Sequence, residues 1–139
     1  MNVKDFPEVE LPEGDLLEGI FAGQYELIEK YHDIEQSRGA LVIEPENFGE
    51  IDHRFVQWRI KDLAFRTIEE LTEATNTLKQ KPWKQSEVPT DQEHFYEELA
   101  DALHFFVELL ITAGMDAKGI ALMYHRKHAV NKFRQRSNY

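Results

Sequence analysis

The sequence predicts an all-α protein, a four-helix bundle in a single domain. Four stretches repeat apolar residues at helical spacing, and no pair of alternating, strand-like runs occurs. The 139 residues, 42% of them hydrophobic and 12% aromatic, suffice for one core but not for two. We therefore expect an N-terminal arm over residues 1–14 and one helical domain over residues 15–139.

The first predicted helix runs from Asp15 to Gln36, where a Ser-Arg-Gly sequence breaks its apolar pattern. Residues 40–43 are apolar enough for a short strand, but a proline follows at once and no partner run exists. We predict a loop there. The second helix is predicted over residues 50–79, and a connection with two prolines follows over residues 80–91.

The third helix begins where Thr90 and Glu93 have the spacing of a capping box, and it is expected to end at Gly114. Asp116 can cap a fourth helix that extends to about Arg136. The second and third helices are long, and one connection joins them. We therefore expect them to pack as antiparallel neighbours.

Composition excludes several classes of function. The net charge of −10 argues against a surface that binds nucleic acid through phosphates. The absence of cysteine excludes disulfides, thiolate metal sites and cysteine nucleophiles. No apolar run approaches the roughly 18 residues that a membrane span needs. We expect a soluble, cytoplasmic protein without nucleic-acid or membrane partners.

Two pairs of acidic residues stand out, Glu70 with Glu73 and Glu98 with Asp101. Each pair has i,i+3 spacing, which places both carboxylates on one helix face, at the edge of the apolar stripe. If the two stripes pack together, the four carboxylates gather beside the helix seam. Repulsion between them then requires a cation, and oxygen ligands favour Mg²⁺ or Mn²⁺.

Other interpretations of these acids remain open. Either pair alone could be a solvated helix face, and the whole chain could be a non-catalytic helical interaction protein. Glu50 with His53 and Asp101 with His104 resemble the spacing of ligands in di-iron bundles. His32 and His94 are expected to be exposed helix residues.

Basic residues concentrate at the C-terminal end, because no acid follows Asp116. Lys127, Asn131 and Arg134 recur on one helix face and can donate to phosphate oxygens. A second basic group, formed by Lys79, Lys81 and Lys84, surrounds Trp83 before the acidic third helix. A hard metal with such donors on either side suits a polyphosphate substrate.

Trp58 and Phe65 lie opposite the main apolar stripe of the second helix, so a second surface must cover them. Either the first helix or another copy of the chain could do so.

The chain resembles the all-α nucleoside triphosphate pyrophosphatases, which include the MazG proteins and the dimeric dUTPases. The resemblance rests on the two acidic pairs with 24 residues between them, on the Lys-Pro-Trp-Lys loop, and on the C-terminal motif from Lys127 to Tyr139. The loop and the segment from Asp101 to Phe105 look like the phage dCTP and dUTP pyrophosphatases. The similarity covers about residues 55–139.

This resemblance implies Mg²⁺-dependent hydrolysis of a deoxynucleoside triphosphate, with dUTP or dCTP favoured, to the monophosphate and pyrophosphate. A purine or house-cleaning pyrophosphatase of the same fold is the alternative. Glu70, Glu73, Glu98 and Asp101 would hold the metal, and Glu70 would also act as the base that orients water.

The same resemblance assigns the substrate contacts. Phosphate groups would be bound by Lys127, Asn131, Arg134, Tyr139 and, from the loop, Lys84. Gln24, His104 and Phe105 would line the base and sugar pocket. A homodimer or larger homo-oligomer is expected, in the host cytoplasm if the protein is phage-encoded.

Overall fold

The computed structural model describes residues 2–79 and 81–137, and this part of the chain contains four α-helices and no strand. The helices are α1 (Leu16–Ser37), α2 (Arg54–Asn76), α3 (Gln92–Thr112) and α4 (Ala117–Arg136). Short 3₁₀ turns cover Val3–Asp5 and Pro45–Asn47. The prediction of an all-α fold is confirmed, as is the loop over residues 40–43. None of the described helices is both long and apolar enough to cross a membrane.

Aspartate side chains cap three of the helices. Asp15, Asp91 and Asp116 accept hydrogen bonds from the backbone N–H groups of Glu18, His94 and Gly119. The prediction that Thr90 caps α3 was therefore wrong by one residue. The Thr90 hydroxyl instead accepts a hydrogen bond of 3.3 Å from the backbone N–H of Lys79, which closes the connection between α2 and α3.

Helix α2 is shorter at both ends than the predicted span of residues 50–79. His53 is its N-cap, because Nδ1 accepts a hydrogen bond of 3.2 Å from the backbone N–H of Phe55. At the other end the Thr77 hydroxyl donates to the carbonyl of Ala74 at 2.7 Å. Side chains therefore end the helix where the apolar pattern alone would continue it.

The α2–α3 pair is the centre of the fold. Arg59, early in α2, contacts Glu108, late in α3, whereas Glu70 and Glu73 approach Glu98 near the start of α3. The two helices are thus antiparallel neighbours, as predicted. Leu63 and Val56 of α2 are fully buried.

Helix α1 packs on α3 rather than on α2. Phe21 of α1 joins Val107, Leu110 and Ile111 of α3 in a buried cluster, which Ala117 at the start of α4 completes. From residue 122 to residue 137 every side chain of the α4 segment is exposed. Trp58 and Phe65 also remain exposed, so α1 does not cover them.

Candidate active site

Three carboxylates meet where α2 faces α3. Glu70, Glu73 and Glu98 each place one oxygen so that all three lie within 4.8 Å of one another. We call these residues the acidic cluster. Asp101 lies one turn beyond Glu98, and its charge raises the pKa of Glu70, so it adjoins the cluster without joining that group. The packing of α2 on α3 thus joins the two acidic pairs predicted from the sequence into one acidic site.

The acidic cluster is electrostatically strained. Burial and the charges of Glu73, Asp101 and Glu98 raise the pKa of Glu70 to about 7. Burial and the charge of Glu73 also raise the pKa of Glu98. In addition, the Glu98 Oε2 atom is buried and receives no hydrogen bond from the described residues. Like charges at this range and an unsatisfied buried oxygen both indicate a position for a cation.

The donor set defines which cation fits. The acidic cluster supplies only carboxylate oxygens, which are the ligands of hard divalent ions such as Mg²⁺. Two of the four residues in the di-iron interpretation have other partners, because His53 caps α2 and Glu50 accepts a hydrogen bond from Asn47. Neither belongs to the cluster, which is the one group of three or more potential metal ligands within residues 2–79 and 81–137.

A large cavity of about 470 Å³ lies between α1, the segment after it and α3. Gln24, Asp101, His104 and Phe105 all line it, so the structure brings the predicted base and sugar residues together beside the acidic site. Gln24 is 6% exposed, and none of the described residues forms a hydrogen bond with its side-chain amide. The amide of Gln24 is therefore available to a ligand in this cavity.

A smaller cavity of about 340 Å³ adjoins the acidic cluster. Glu73 and Glu98 line it together with Lys79 and His94. His94 is a half-exposed residue of α3, with 44% of its side chain accessible, and its Nε2 atom lies 3.5 Å from Glu98 Oε1. Its i,i+4 spacing to Glu98 was the available signal. Of the second basic group, formed by Lys79, Lys81 and Lys84, only Lys79 lines this cavity.

Four of the predicted phosphate-binding residues lie in the described part of the chain, and none of these four lines either cavity. Lys84 is exposed in the loop before α3, and Lys127 and Asn131 are exposed on α4. Arg134 lies on the same α4 segment, one turn after Asn131. Tyr139 lies outside the described residues. The roles of these residues therefore stay predictions.

His32 attaches the segment after α1 to α1 itself, next to the large cavity. Its Nδ1 atom lies 2.8 Å from Asp33 Oδ1, and its Nε2 atom lies 2.9 Å from Glu44 Oε1. The side chain is 20% exposed, so the expectation of an exposed histidine was wrong. Both ring nitrogens face carboxylates, and the imidazolium form can donate to both of them. These two hydrogen bonds raise the pKa of His32 above its ordinary value of 6.5.

We expect His32 to make the free energy of unfolding depend on pH. Because the pKa of His32 is raised in the folded protein, its stabilising contribution is complete below the unfolded pKa near 6.5. The contribution is lost as pH rises through the folded pKa. Urea unfolding at pH 6 and pH 9 should show a smaller difference for His32→Gln than for the wild type. His125→Gln on exposed α4 is the control, and identical profiles for all three proteins would contradict this assignment.

Fold and site together define an all-α protein with a carboxylate cluster that lines one cavity of about 340 Å³ and has Asp101, in the wall of a larger cavity of about 470 Å³, beside it. The chain belongs to the dUTPase family, because the family model described as dUTPase matches residues 26–119. This range contains the acidic cluster, Asp101, His104 and Phe105, whereas Gln24 and the C-terminal motif lie outside it. No curated protein and no solved structure gives a significant match. Membership implies a nucleoside triphosphate pyrophosphatase, and enzymes of this family generally use Mg²⁺.

Proposed function

We propose that the protein is a Mg²⁺-dependent pyrophosphatase that hydrolyses a deoxynucleoside triphosphate, dUTP or dCTP in preference. The bond cleaved is that between the α and β phosphates, and the products are the monophosphate and pyrophosphate. One observation carries this proposal, namely the order of features along α3. His94 and Glu98 face the small cavity, and Asp101 and His104 follow in the large cavity. A nucleotide laid along α3 with its base in the large cavity would place its α-phosphate at the acidic cluster and its pyrophosphate in the small cavity.

Glu70, Glu73 and Glu98 would hold Mg²⁺, with Asp101 beside them, and Mn²⁺ is a possible substitute. When bound, the metal supplies charge stabilisation for the phosphoryl oxygens and the departing pyrophosphate. The carboxylates fit this ion because they are oxygen ligands that repel one another in its absence.

Protein side chains provide the remaining steps. Glu70 places a carboxylate oxygen within 4.8 Å of both other members of the acidic cluster and would orient the attacking water and accept its proton. Lys79, in the small cavity, lies where the departing phosphates would be and offsets part of their charge. Gln24 would hydrogen-bond the base, while His104 and Phe105 would form the wall beside the sugar.

We also propose that the working protein is a homodimer or a larger homo-oligomer. The accessible surface of the chain is 11190 Å², whereas a compact monomer of this mass exposes about 7500 Å². The excess includes Trp58, Phe65 and the apolar residues of α4, which form surfaces that a second copy can cover. In such an assembly we expect Lys127, Asn131 and Arg134 to reach substrate phosphates.

A panel of deoxynucleoside triphosphates with product analysis tests the proposed function. With Mg²⁺ present, we expect dUTP or dCTP to yield the monophosphate and pyrophosphate in equal amounts, and chelation to stop the reaction. Glu98→Gln should remove the thermal stabilisation that Mg²⁺ gives. Glu29→Gln removes the same charge from an exposed position on α1 and should retain that stabilisation. A pure, metal-replete sample that is inactive on every nucleotide would refute the proposal.

A further inference from the structure

An ion-pair network forms part of the wall of the large cavity. The Arg59 Nη2 atom lies 2.9 Å from Glu108 Oε1 and 3.4 Å from Glu35 Oε2, and Nη1 lies 3.3 Å from Asp62 Oδ2. The side chains of Arg59 and Glu108 are only 15% and 16% exposed. Such pairing fixes the position of the Glu108 carboxylate.

The network offers the cavity hydrogen-bond acceptors rather than donors. Arg59, Glu35 and Glu108 all line the cavity, but the guanidinium of Arg59 is directed at three carboxylates. One oxygen of Glu108, Oε2, receives no hydrogen bond from the described residues and is not among their buried unsatisfied atoms. It is therefore open to a ligand. An ionised carboxylate can only accept.

The register of α3 sets the distance between this acceptor and the acidic site. Glu108 follows Asp101 by seven residues, which is two helical turns or about 10 Å along the axis. His104 and Phe105 lie between them on the same cavity wall. A nucleotide with its α-phosphate beside Asp101, which adjoins the acidic cluster, would extend its base along this wall so that the far edge of the base meets Glu108.

Pyrimidine bases differ at that far edge. Cytosine carries an exocyclic amine, which is a hydrogen-bond donor, whereas uracil carries a carbonyl oxygen, which is an acceptor. We propose that Glu108, positioned by Arg59, accepts a hydrogen bond from the cytosine amine and makes this protein selective for dCTP over dUTP. This inference rests on the proposed function and names the preferred substrate of the same site.

The energetic basis is asymmetric. With cytosine bound, the buried Glu108 carboxylate accepts a charge-assisted hydrogen bond from the amine. With uracil bound, the carboxylate faces a carbonyl oxygen, which is also an acceptor, and it stays unpaired. A site built to bond one polar group discriminates strongly against an analogue that lacks it. Gln24 adds no discrimination by itself, because an amide both donates and accepts and can rotate to suit either base.

Competition between dCTP and dUTP in one reaction tests this inference. For the wild type we expect kcat/KM to favour dCTP by about 10- to 100-fold. Glu108→Gln keeps an acceptor for Arg59 and adds a donor for the uracil carbonyl, so the ratio should move toward dUTP by a similar factor. Glu29→Gln should leave the ratio unchanged. Because both substrates share one sample, partial unfolding of a variant cancels from the ratio.

The outcomes separate the two proposals. Hydrolysis of both substrates with no preference in the wild type, or with an unchanged ratio in Glu108→Gln, would overturn the inference and leave the pyrophosphatase activity intact. If neither substrate is hydrolysed, the proposed function fails. Thermal stabilisation by dCMP and dUMP then decides the inference. Stronger stabilisation by dCMP that is lost in Glu108→Gln supports it, and any other pattern overturns it.

Discussion

We expect Glu70→Gln to lower kcat for deoxynucleoside triphosphate hydrolysis by about a thousandfold or more. Glu70 belongs to the acidic cluster with Glu73 and Glu98, so the change removes a metal ligand and the proposed base together. Pyrophosphate release at saturating Mg²⁺ measures the effect. Glutamine keeps the shape of the side chain, so the loss reports on the charge and not on packing.

The same substitution should stabilise the metal-free protein. Burial and the neighbouring carboxylates raise the pKa of Glu70 to about 7. The ionised Glu70 carboxylate therefore opposes folding at alkaline pH. We therefore expect Glu70→Gln to have a higher melting temperature than the wild type in EDTA at pH 8, and a smaller gain on adding Mg²⁺.

Glu69→Gln is the matched control for both effects. Glu69 is adjacent on α2 but pairs with Arg66 at 3.4 Å, outside the acidic cluster. The kcat of Glu69→Gln should stay within about threefold of the wild type, because surface substitutions away from a functional site change stability little. Equal losses of activity in Glu69→Gln and Glu70→Gln, or none in either, would contradict a role specific to the cluster.

The second large effect is structural. We expect Gly114→Ala to lower the free energy of unfolding by about 3 kcal/mol and the melting temperature by about 10 °C. Gly114 has a φ of +88°, and a Cβ atom there would lie 2.6 Å from the Cα of Gly49. Two backbone segments touch at this point, where the Gly49 N–H also donates to the carbonyl of Thr112 at 3.0 Å. Urea unfolding measures the loss.

Gly39→Ala separates the two causes of that loss. Gly39 has a similar φ of +79°, but a Cβ atom added there would meet nothing within 4 Å. Gly39→Ala should lower the free energy of unfolding only through the strained left-handed backbone conformation, by about 1 kcal/mol. If both variants lose the same amount, the approach of Gly114 to Gly49 contributes nothing to stability.

Helical periodicity and spacing predicted the parts of this structure that depend on a single helix. The four helices follow from apolar repeats, and the i,i+3 spacing of Glu70 and Glu73 fixes both on one face. The antiparallel packing of α2 and α3 then brings Glu98 to them, as expected from the edges of the two stripes. The residues with predicted base and sugar roles also line one cavity.

Features that depend on how elements meet could not be predicted in this way. The ends of α2 are set by His53 and Thr77, whose caps compete locally with the helix. The contact of Arg59 with Glu108 requires the register between two helices, because these residues are 49 positions apart in the chain. Likewise, the hydrogen bonds of His32 depend on the path of the loop after α1, which no periodic pattern encodes.

The apolar residues of α4 show why the C-terminal motif remains a prediction. Its spacing indicates a face that binds phosphate, but Lys127 and Asn131 lie on an exposed helix away from both cavities. Phe133 and Leu122 are exposed on the same helix, which is typical of a surface that another copy covers. Position within an assembly is not encoded in the spacing of one chain.

A crystal structure with Mn²⁺ and a non-hydrolysable deoxynucleoside triphosphate, recorded at the manganese absorption edge, tests the central claim most directly. We predict an anomalous peak bound by carboxylate oxygens of Glu70, Glu73 and Glu98, with the α-phosphate against it and the base in the large cavity. A bound nucleotide with no metal peak at these three side chains, or with the metal bound elsewhere on the protein, would contradict the proposed site.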